Sequence, residues 1–431
     1  MTKPAVRAGD EIDVSIEKPV AGGRMIARHH GQVVLVAGAV PGERVRARVE
    51  RADRRVAFAI TTAVTTPSPD RRLAFADPGC GGCVYSHIEY ARQLSLKAEI
   101  VRDALARIGH IPIEAPIAIA ASPESEYRMR ARLHVARGRV GFFTEGTHTL
   151  CDAASTRQLS DAALDSVSTA AGEAARAGTQ VSSIELTENI PGAERALAIA
   201  VDDGTALTRG ALAQLIGAAS LTGCVVQDLR GHRQTVGELS VGDSVADLSM
   251  GRGLRGDLRR QPESFFQANR FLVPALVAHV IDQVRPQGRV LDLYAGVGLF
   301  SVSLAAAGRS EITAVEGDRA GGSDLRRNAG PFGAAVTLAL ESVESFLASV
   351  DGQARPGTVI VDPPRTGISS DALSVLIELR AARLVYVSCD PPTLARDARK
   401  LLDAGYALSS VEGFDLFPNT PHVECVAVFE R

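Results

Sequence analysis

From residue 288 to residue 389 the chain repeats one pattern, a short apolar run followed by a helical stretch. That pattern excludes most folds. The runs are 288–294 (GRVLDLY), 311–316 (EITAVE), 335–340, 357–362 (GTVIVD) and 383–389 (RLVYVSC). Val/Ile/Leu runs of this kind need cover on both faces, and the intervening helices supply it, so the spacing predicts a parallel, doubly wound α/β sheet from about 262 to 431. In such sheets ligands bind outside the carboxyl ends of the strands. The residues that directly follow each run are therefore the first candidates for chemistry.

The rest of the chain reads differently. Between 10 and 65, Ile12, Val14 and Ile16 alternate with polar residues, as do Val45, Ala47 and Val49, and Gly22-Gly23, Gly31 and Pro41-Gly42 mark turns. Five such strands in so short a stretch predict a small closed barrel. A Pro- and Gly-containing connector (66–90) leads to a helical stretch near 90–108. From Glu126 to about Ala246 strands return around an Ala-rich helical stretch, 160–177, giving a mixed α+β unit. The 431 residues suit two to four domains, and we divide them at 1–66, 67–258 and 259–431.

A composition of 45% hydrophobic and 23% charged residues excludes a disordered chain. No apolar run approaches the ~18 residues of a membrane span, and the start, MTKPAVRAGDEIDV, lacks a signal-peptide core. A cytoplasmic protein without membrane partners is expected, with a monomer favoured. Six scattered cysteines suggest reduced thiols, ligands or nucleophiles rather than a disulfide scaffold.

The net charge of -3 argues against a nucleic-acid partner only as an average. Residues 1–75 hold thirteen basic and eight acidic side chains, so they carry +5 and the remaining 356 residues carry -8. Arg44, Arg46 and Arg48 share one face of a strand. They read either as an edge strand protected by charge or as a surface that tracks phosphates. Arg128, Arg130, Arg132, Arg137 and Arg139 form a second basic stretch.

Four motifs stand at the ends of the apolar runs. Asp292-Leu-Tyr294-Ala-Gly296-Val-Gly298 leads from strand into helix, and Glu316 lies twenty residues beyond Gly296, where a carboxylate can hold ribose hydroxyls. A dinucleotide would fit the glycines, as would a tight turn that binds nothing. Ser301 at the last fingerprint position and Asp292 ahead of the first glycine favour S-adenosylmethionine. Asp362-Pro363-Pro364-Arg365 is stiffened by its prolines, and Arg365 stands where methyltransferases of exocyclic amines carry an aromatic residue. In Ser388-Cys389-Asp390, a cysteine emerges at the ligand edge beside basic groups, a setting expected to give a low-pKa thiolate; the alternative is a buried apolar cysteine. In Phe417-Pro-Asn-Thr-Pro-His422-Val-Glu424, His422 and Glu424 point to one side. Glu424 reads as a general base or as a surface charge on an edge strand.

Together with Phe266-Gln267-Ala268-Asn269, these motifs resemble the bacterial RNA uracil-5-methyltransferase family over nearly the whole chain. The resemblance implies a Rossmann-like class I methyltransferase sheet, an OB-like TRAM barrel that binds RNA, and a central RNA-facing domain. It also implies that Cys389 is the nucleophile and Glu424 the proton-abstracting base. Gln267, Tyr294, Glu316 and Asp362 correspond to S-adenosylmethionine positions, with Gly296 and Asp292 beside them. The barrel tilts the expected substrate toward 23S ribosomal RNA, since the bacterial transfer-RNA member lacks it. Transfer RNA, or an inactive relative that serves ribosome assembly, are the alternatives.

One motif departs from the family. Many relatives hold a four-iron cluster on C-x5-C-x2-C and a distant fourth cysteine. Here Cys80 and Cys83 match the last two positions, but Ala74 and Thr156 stand at the first and fourth, with Cys151 nearby. Two or three thiolates are too few for the usual four, so no 4Fe-4S cluster is expected. Half of a zinc site on Cys80 and Cys83 would lack partners.

Overall fold

The structure, a computed structural model, describes residues 6–144, 146–203, 207–350 and 355–431; Lys3, counted above among the basic residues, lies outside them. Strands β1 (Glu11–Pro19), β2 (Met25–His29), β3 (Gln32–Ala37), β4 (Arg44–Ala52) and β5 (Val56–Thr66) close a barrel in the order β1-β2-β3-β5-β4. Alternation fills it. Ile12, Val14, Ile16, Val45, Ala47 and Val49 point inward, while Arg44, Arg46 and Arg48 point to solvent. Because β4 is paired on both sides, by β1 and β5, it has no free edge, and the edge-protection reading of its arginines falls. Buried Glu43 accepts hydrogen bonds from Arg71 (2.5 and 2.8 Å) and from the amides of Val40 and Ser68, which ties the connector to the barrel.

Helix α1 (Tyr90–Arg107) and the two-residue β6 (Ile119–Ala120) follow. Next come β7 (Arg130–Ala136), β8 (Arg139–Phe143), β9 (Leu150–Asp152), α2 (Asp161–Arg176), β10 (Val181–Glu188), β11 (Arg195–Val201), α3 (Arg209–Ala218), β12 (Gly223–Asp228) and β13 (Arg233–Gly237). The strands form a seven-stranded mixed sheet in the order β13-β12-β11-β10-β7-β8-β9. One face packs on α2 and α3 through Ala131, Leu133, Ile184, Leu186, Leu197 and Ile199. A two-stranded ribbon, β14 (Val241–Ser244) and β15 (Asp257–Arg260), flanks the short α4 (Val245–Leu248).

The cysteines require a correction. Cys80 and Cys151 form a disulfide with Cα atoms 5.9 Å apart, and only Cys83, Cys224, Cys389 and Cys425 are free thiols. The two half-cystines are separated by 71 residues. They meet because the connector runs against β8, where Cys80 bridges Thr144 and the Gly81 amide bonds the Phe143 carbonyl. Spacing alone does not give that approach, though the family resemblance sets Cys151 near the fourth ligand position that would face Cys80 and Cys83.

The C-terminal part follows the expected alternation: α5 (Val273–Gln283), β16 (Val290–Leu293), α6 (Leu299–Ala306), β17 (Ile312–Val315), α7 (Arg319–Ala329), β18 (Val336–Ala339), α8 (Val343–Ser349), β19 (Thr358–Val361), α9 (Ser370–Glu378), β20 (Arg383–Ser388), α10 (Pro391–Asp403), β21 (Ala407–Phe414) and β22 (Glu424–Glu430). The sheet order is β18-β17-β16-β19-β20-β22-β21-β6. Strands β16 to β20 are parallel, and β22 runs antiparallel to β20. Alternate strand residues supply two cores. Leu291, Leu293, Val359, Val361, Leu384 and Tyr386 pack on one face with Leu373, Leu394 and Leu401, and Val290, Ile312, Ile360 and Val385 pack on the other with Leu276, Val280 and Phe300.

Helix α1 belongs to this sheet in space. Its Val101, Ala104 and Leu105 share a core with Leu394, Ala395 and Ala398 of α10, and β6 extends the sheet beside β21. Leu96, from the same helix, packs into the barrel core. Among the described residues no helix is long and apolar enough to cross a membrane.

Candidate active site

Chain direction gathers the motif residues at one edge. In a parallel sheet all strands end on the same side, so Tyr294 after β16, Glu316 after β17, Asp362 after β19 and Cys389 after β20 fall together. Chain order reverses between β16 and β19, which marks the switch point of the sheet. Strand β22 enters from that edge because it is antiparallel. Ser388, the last residue of β20, pairs with Cys425, the second of β22, so Cys389 leaves the strand beside Glu424, whose charge acts on its thiol. Strand β22 lies between β20 and β21 and Glu424 is buried, so its reading as a surface charge on an edge strand falls.

The turn after β16 is shaped by glycines. Gly296 (φ +57°) donates its amide to Glu316 Oε2 at 2.7 Å, and a side chain at Gly298 (φ +94°) would strike Val302 and Leu325 at under 3 Å. Tyr294 also adopts a left-handed φ of 63°, a conformation that costs free energy for a tyrosine and is held here by the turn. Glu316 takes the Asp318 amide on its other oxygen (2.5 Å). Asp292 is wholly buried. Its Oδ2 accepts from the Ser301 amide at 2.9 Å, while Oδ1 has no partner. Gln267, on the loop before α5, donates from Nε2 to Asp362 Oδ2 at 3.3 Å.

An orphaned buried carboxylate oxygen, a second carboxylate beside it and open space at Gly296 suit a cationic, hydroxyl-bearing ligand. S-adenosylmethionine has those groups. The same residues give a pyrophosphate little beyond the amides of one turn.

Electrostatics departs from expectation at Cys389. Burial, then the charge of Glu424, push the thiol up to about 11, with Arg365 acting in the opposite sense. A low-pKa thiolate was expected from basic neighbours. Among the groups that act on it most strongly, Arg365 stands against Glu424, Asp362 and Asp390, so the free protein holds a thiol. Glu424 is raised well above the carboxylate range by burial and by Asp362. Asp362 and Asp292 are each raised to about 7, chiefly by burial. His422 is pushed down to about 4 by burial and by Arg365, and so is neutral at pH 7.

The loop that delivers Glu424 is held by motif residues to which the sequence assigned no role, Asn419 and Asn269, and by residues outside any motif, Arg72, Gln93 and Lys97. Asn419 takes a left-handed φ of 62°, a conformation Asn tolerates better than most residues. Its Oδ1 accepts from Arg72 (2.9 Å) and Gln93 (3.0 Å), its amide donates to Gln93 Oε1 (2.9 Å), and its carbonyl accepts from the Tyr85 amide (2.8 Å). Lys97 of α1, fully buried, pairs with buried Asp415 and donates to the Phe417 carbonyl at 3.1 Å. Asn269 donates to Ser122 Oγ and the Leu416 carbonyl, which joins the Gln267 loop to the Glu424 loop. The signal for Asn419 was an Asn between two prolines; Lys97 and Gln93 look like ordinary helix residues in the sequence.

Comparison with known proteins agrees with this geometry. The tRNA (uracil-5-)-methyltransferase family profile matches residues 336–431, and the TRAM domain profile matches residues 5–62. The chain is 32% identical to the 23S rRNA (uracil(1939)-C(5))-methyltransferase RlmD of Alkalilimnicola ehrlichii, over 95% of this chain and 94% of that protein. It is also 32% identical to an uncharacterized RNA methyltransferase of Streptomyces coelicolor, over 100% of this chain and 95% of that one. The crystal structure of the Pyrococcus abyssi tRNA (uracil-54, C5)-methyltransferase with S-adenosyl-L-homocysteine superposes with a TM-score of 0.76 at 23% identity, covering 96% of this chain and 99% of that one. The chain belongs to the TRAM-containing RNA uracil-5-methyltransferase family, and is an S-adenosylmethionine-dependent RNA uracil-C5 methyltransferase.

Proposed function

We propose that the enzyme methylates C5 of a uridine in 23S ribosomal RNA through a covalent adduct on Cys389, with Glu424 as the base. The observation that carries the chemistry is the β20–β22 register, which pairs Ser388 with Cys425 at the ligand edge and so brings the adjacent Cys389 and Glu424 close enough for Glu424 to act on the thiol. Uracil C5 is too weak a nucleophile to accept a methyl group unaided. Cys389 gives up its thiol proton to solvent as Sγ adds to C6, giving an enolate-like ring with electron density at C5. Bound S-adenosylmethionine supplies the electrophilic methyl group. Glu424, ionised, then takes the C5 proton, the C5–C6 double bond reforms, and the C6–S bond breaks to release the thiolate, which is reprotonated. Burial and the neighbouring Asp362 raise Glu424, which makes it a stronger acceptor for the carbon-bound proton once it is ionised. Attack on the ring face requires the uridine to be unstacked.

Gln267, Tyr294, Gly296, Glu316, Asp292 and Asp362 would hold the cofactor. Asp292 and Asp362 supply negative charge for its sulfonium and ammonium groups, and Glu316 retains acceptor capacity for ribose hydroxyls. The Cys80–Cys151 disulfide, with Ala74 and Thr156 at two of the usual ligand positions, supports a connector without an iron–sulfur cluster. Brown colour and about four irons per chain after anaerobic purification would overturn that part.

The ribosomal substrate rests on relatives named as 23S enzymes at 32% identity. The barrel does not discriminate by itself, because the archaeal enzyme named for transfer RNA matches 96% of this chain in fold. Mapping 5-methyluridine in ribosomal and transfer RNA, with and without the gene, tests the substrate; loss of the mark from transfer RNA alone would reject the ribosomal reading. Cys389→Ala should abolish methyl transfer and keep RNA binding, and unchanged methylation would end the covalent reading. Glu424→Gln should trap a protein–RNA adduct that survives a denaturing gel.

A further inference from the structure

At its β7–β8 end the central sheet is covered on one face only. Ala131 and Leu133 of β7 pack under α2, so by strand alternation Arg130, Arg132 and His134 line the opposite face, with Arg132 exposed and the other two half-buried. Nearby positions on this face are small, with Ala198 and Ala200 on β11 half-buried. His134 pairs with Gly141 across β8. The aromatic neighbour is Phe143, two residues on, and its ring lies flat against the imidazole with centroids 3.7 Å apart and planes 13° apart. His148 meets the Phe143 ring edge-on at 5.2 Å.

The row leads to the catalytic edge. Arg130 donates from Nε to the Ser264 carbonyl (3.2 Å), and its guanidinium lies 5.5 Å from the ring of Phe265. Phe265 is 61% exposed and stands two residues before Gln267. Successive side chains on one face of a strand are ~6.5–7 Å apart, so Arg130, Arg132 and His134 step outward from the site at roughly nucleotide intervals. Both arginines reach Glu185 only at long range, 4.0 and 3.8 Å, contacts that an RNA phosphate would displace. Arg137 and Arg139, both exposed, extend the positive charge beside the aromatic pair.

A cross-strand aromatic pair by itself stabilises a hairpin. Here the pair sits half-exposed on an uncovered face, beside a row of guanidinium groups that runs to the site. We propose that this face of β7 and β8 binds single-stranded RNA flanking the target uridine, with one base stacked on the His134–Phe143 pair and the backbone following Arg130 and Arg132. The inference rests on the reading of the catalytic edge as the uridine site. It adds a specificity element outside that site, since a base held there fixes which nucleotide reaches Cys389.

Binding of the full-length protein to the RNA fragment that carries the mapped uridine, over a range of salt, tests it. Phe143→Leu keeps the volume and removes the π face. It should weaken binding and raise KM for RNA about fivefold or more, equivalent to ~1 kcal/mol, with the salt slope unchanged. Phe143→Trp should bind as the wild type does. Arg132→Gln should lower the salt slope by about one. Wild-type affinity in Phe143→Leu would overturn the proposal, as would an equal loss in Phe143→Trp, which would mark a packing role. If the wild type methylates no RNA, the catalytic reading fails separately. The platform is then decided with fluorescein-labelled oligouridylate and the same variants, and equal affinities would reject it.

Discussion

At the scale of single residues, the site is a set of buried acids whose protons depend on one another. Once ionised, Glu424 holds the Cys389 thiol up, and Arg365 pulls it down. Glu424→Gln should therefore shift the alkylation of Cys389 by iodoacetamide to lower pH, and Arg365→Gln should shift it to higher pH. Rate against pH, with Cys389→Ala as the blank, reads both shifts; superimposable profiles would remove the electrostatic account. Asp292 carries a second consequence. Its folded-state pKa, about 7, lies above the ~3.9 of an unfolded aspartate, so it favours the folded protein below about pH 4. That contribution is lost as pH rises through 7. The melting temperature of Asp292→Asn relative to wild type should therefore climb between pH 4 and pH 8, while S-adenosylmethionine binding weakens. A pH-independent difference would mean that Asp292 is charged, or exposed, in the folded state.

At the scale of elements, the strands bring Cys389 and Glu424 together, and the segments around them hold the Glu424 loop in place. Helix α1 does this through Lys97 and Gln93, which reach Asp415 and Asn419 more than 300 residues away. The Lys97–Asp415 pair is fully buried on both sides, so removing one partner leaves an uncompensated charge. Lys97→Met should cost ~3–5 kcal/mol of unfolding free energy, and adding Asp415→Leu should restore much of it. Denaturant melts of the single and double variants measure this, and a double variant no more stable than the single one would contradict it. The helix itself was legible, since the sequence predicts a helical stretch at 90–108 and α1 spans Tyr90–Arg107. Its partner was not, because periodicity gives a buried face without naming what buries it.

At the scale of the whole molecule, the barrel, the central sheet and the methyltransferase sheet are joined by a few cross-links far apart in sequence. Arg71 ties the connector to Glu43 of the barrel, Arg72 ties it to Asn419, and the Cys80–Cys151 disulfide ties it to the central sheet. The native protein should show four reactive thiols after denaturation without reductant and six after reduction, and Cys80→Ser should lose about 2–4 kcal/mol of stability. Six thiols without reductant would remove the cross-link. The sequence by itself determined the elements and which residues stand at the strand ends, because buried strands must be apolar, tight turns need glycine, and a strand end followed by Cys389, Asp362 or Glu316 falls on the ligand edge whatever the packing. Only the tertiary structure decided the environments. Burial made Cys389 a thiol rather than a thiolate, closure of the barrel removed the edge from β4, and folding brought Cys80 to Cys151. Each depends on which distant segments pack together, and that proximity has no period in a sequence.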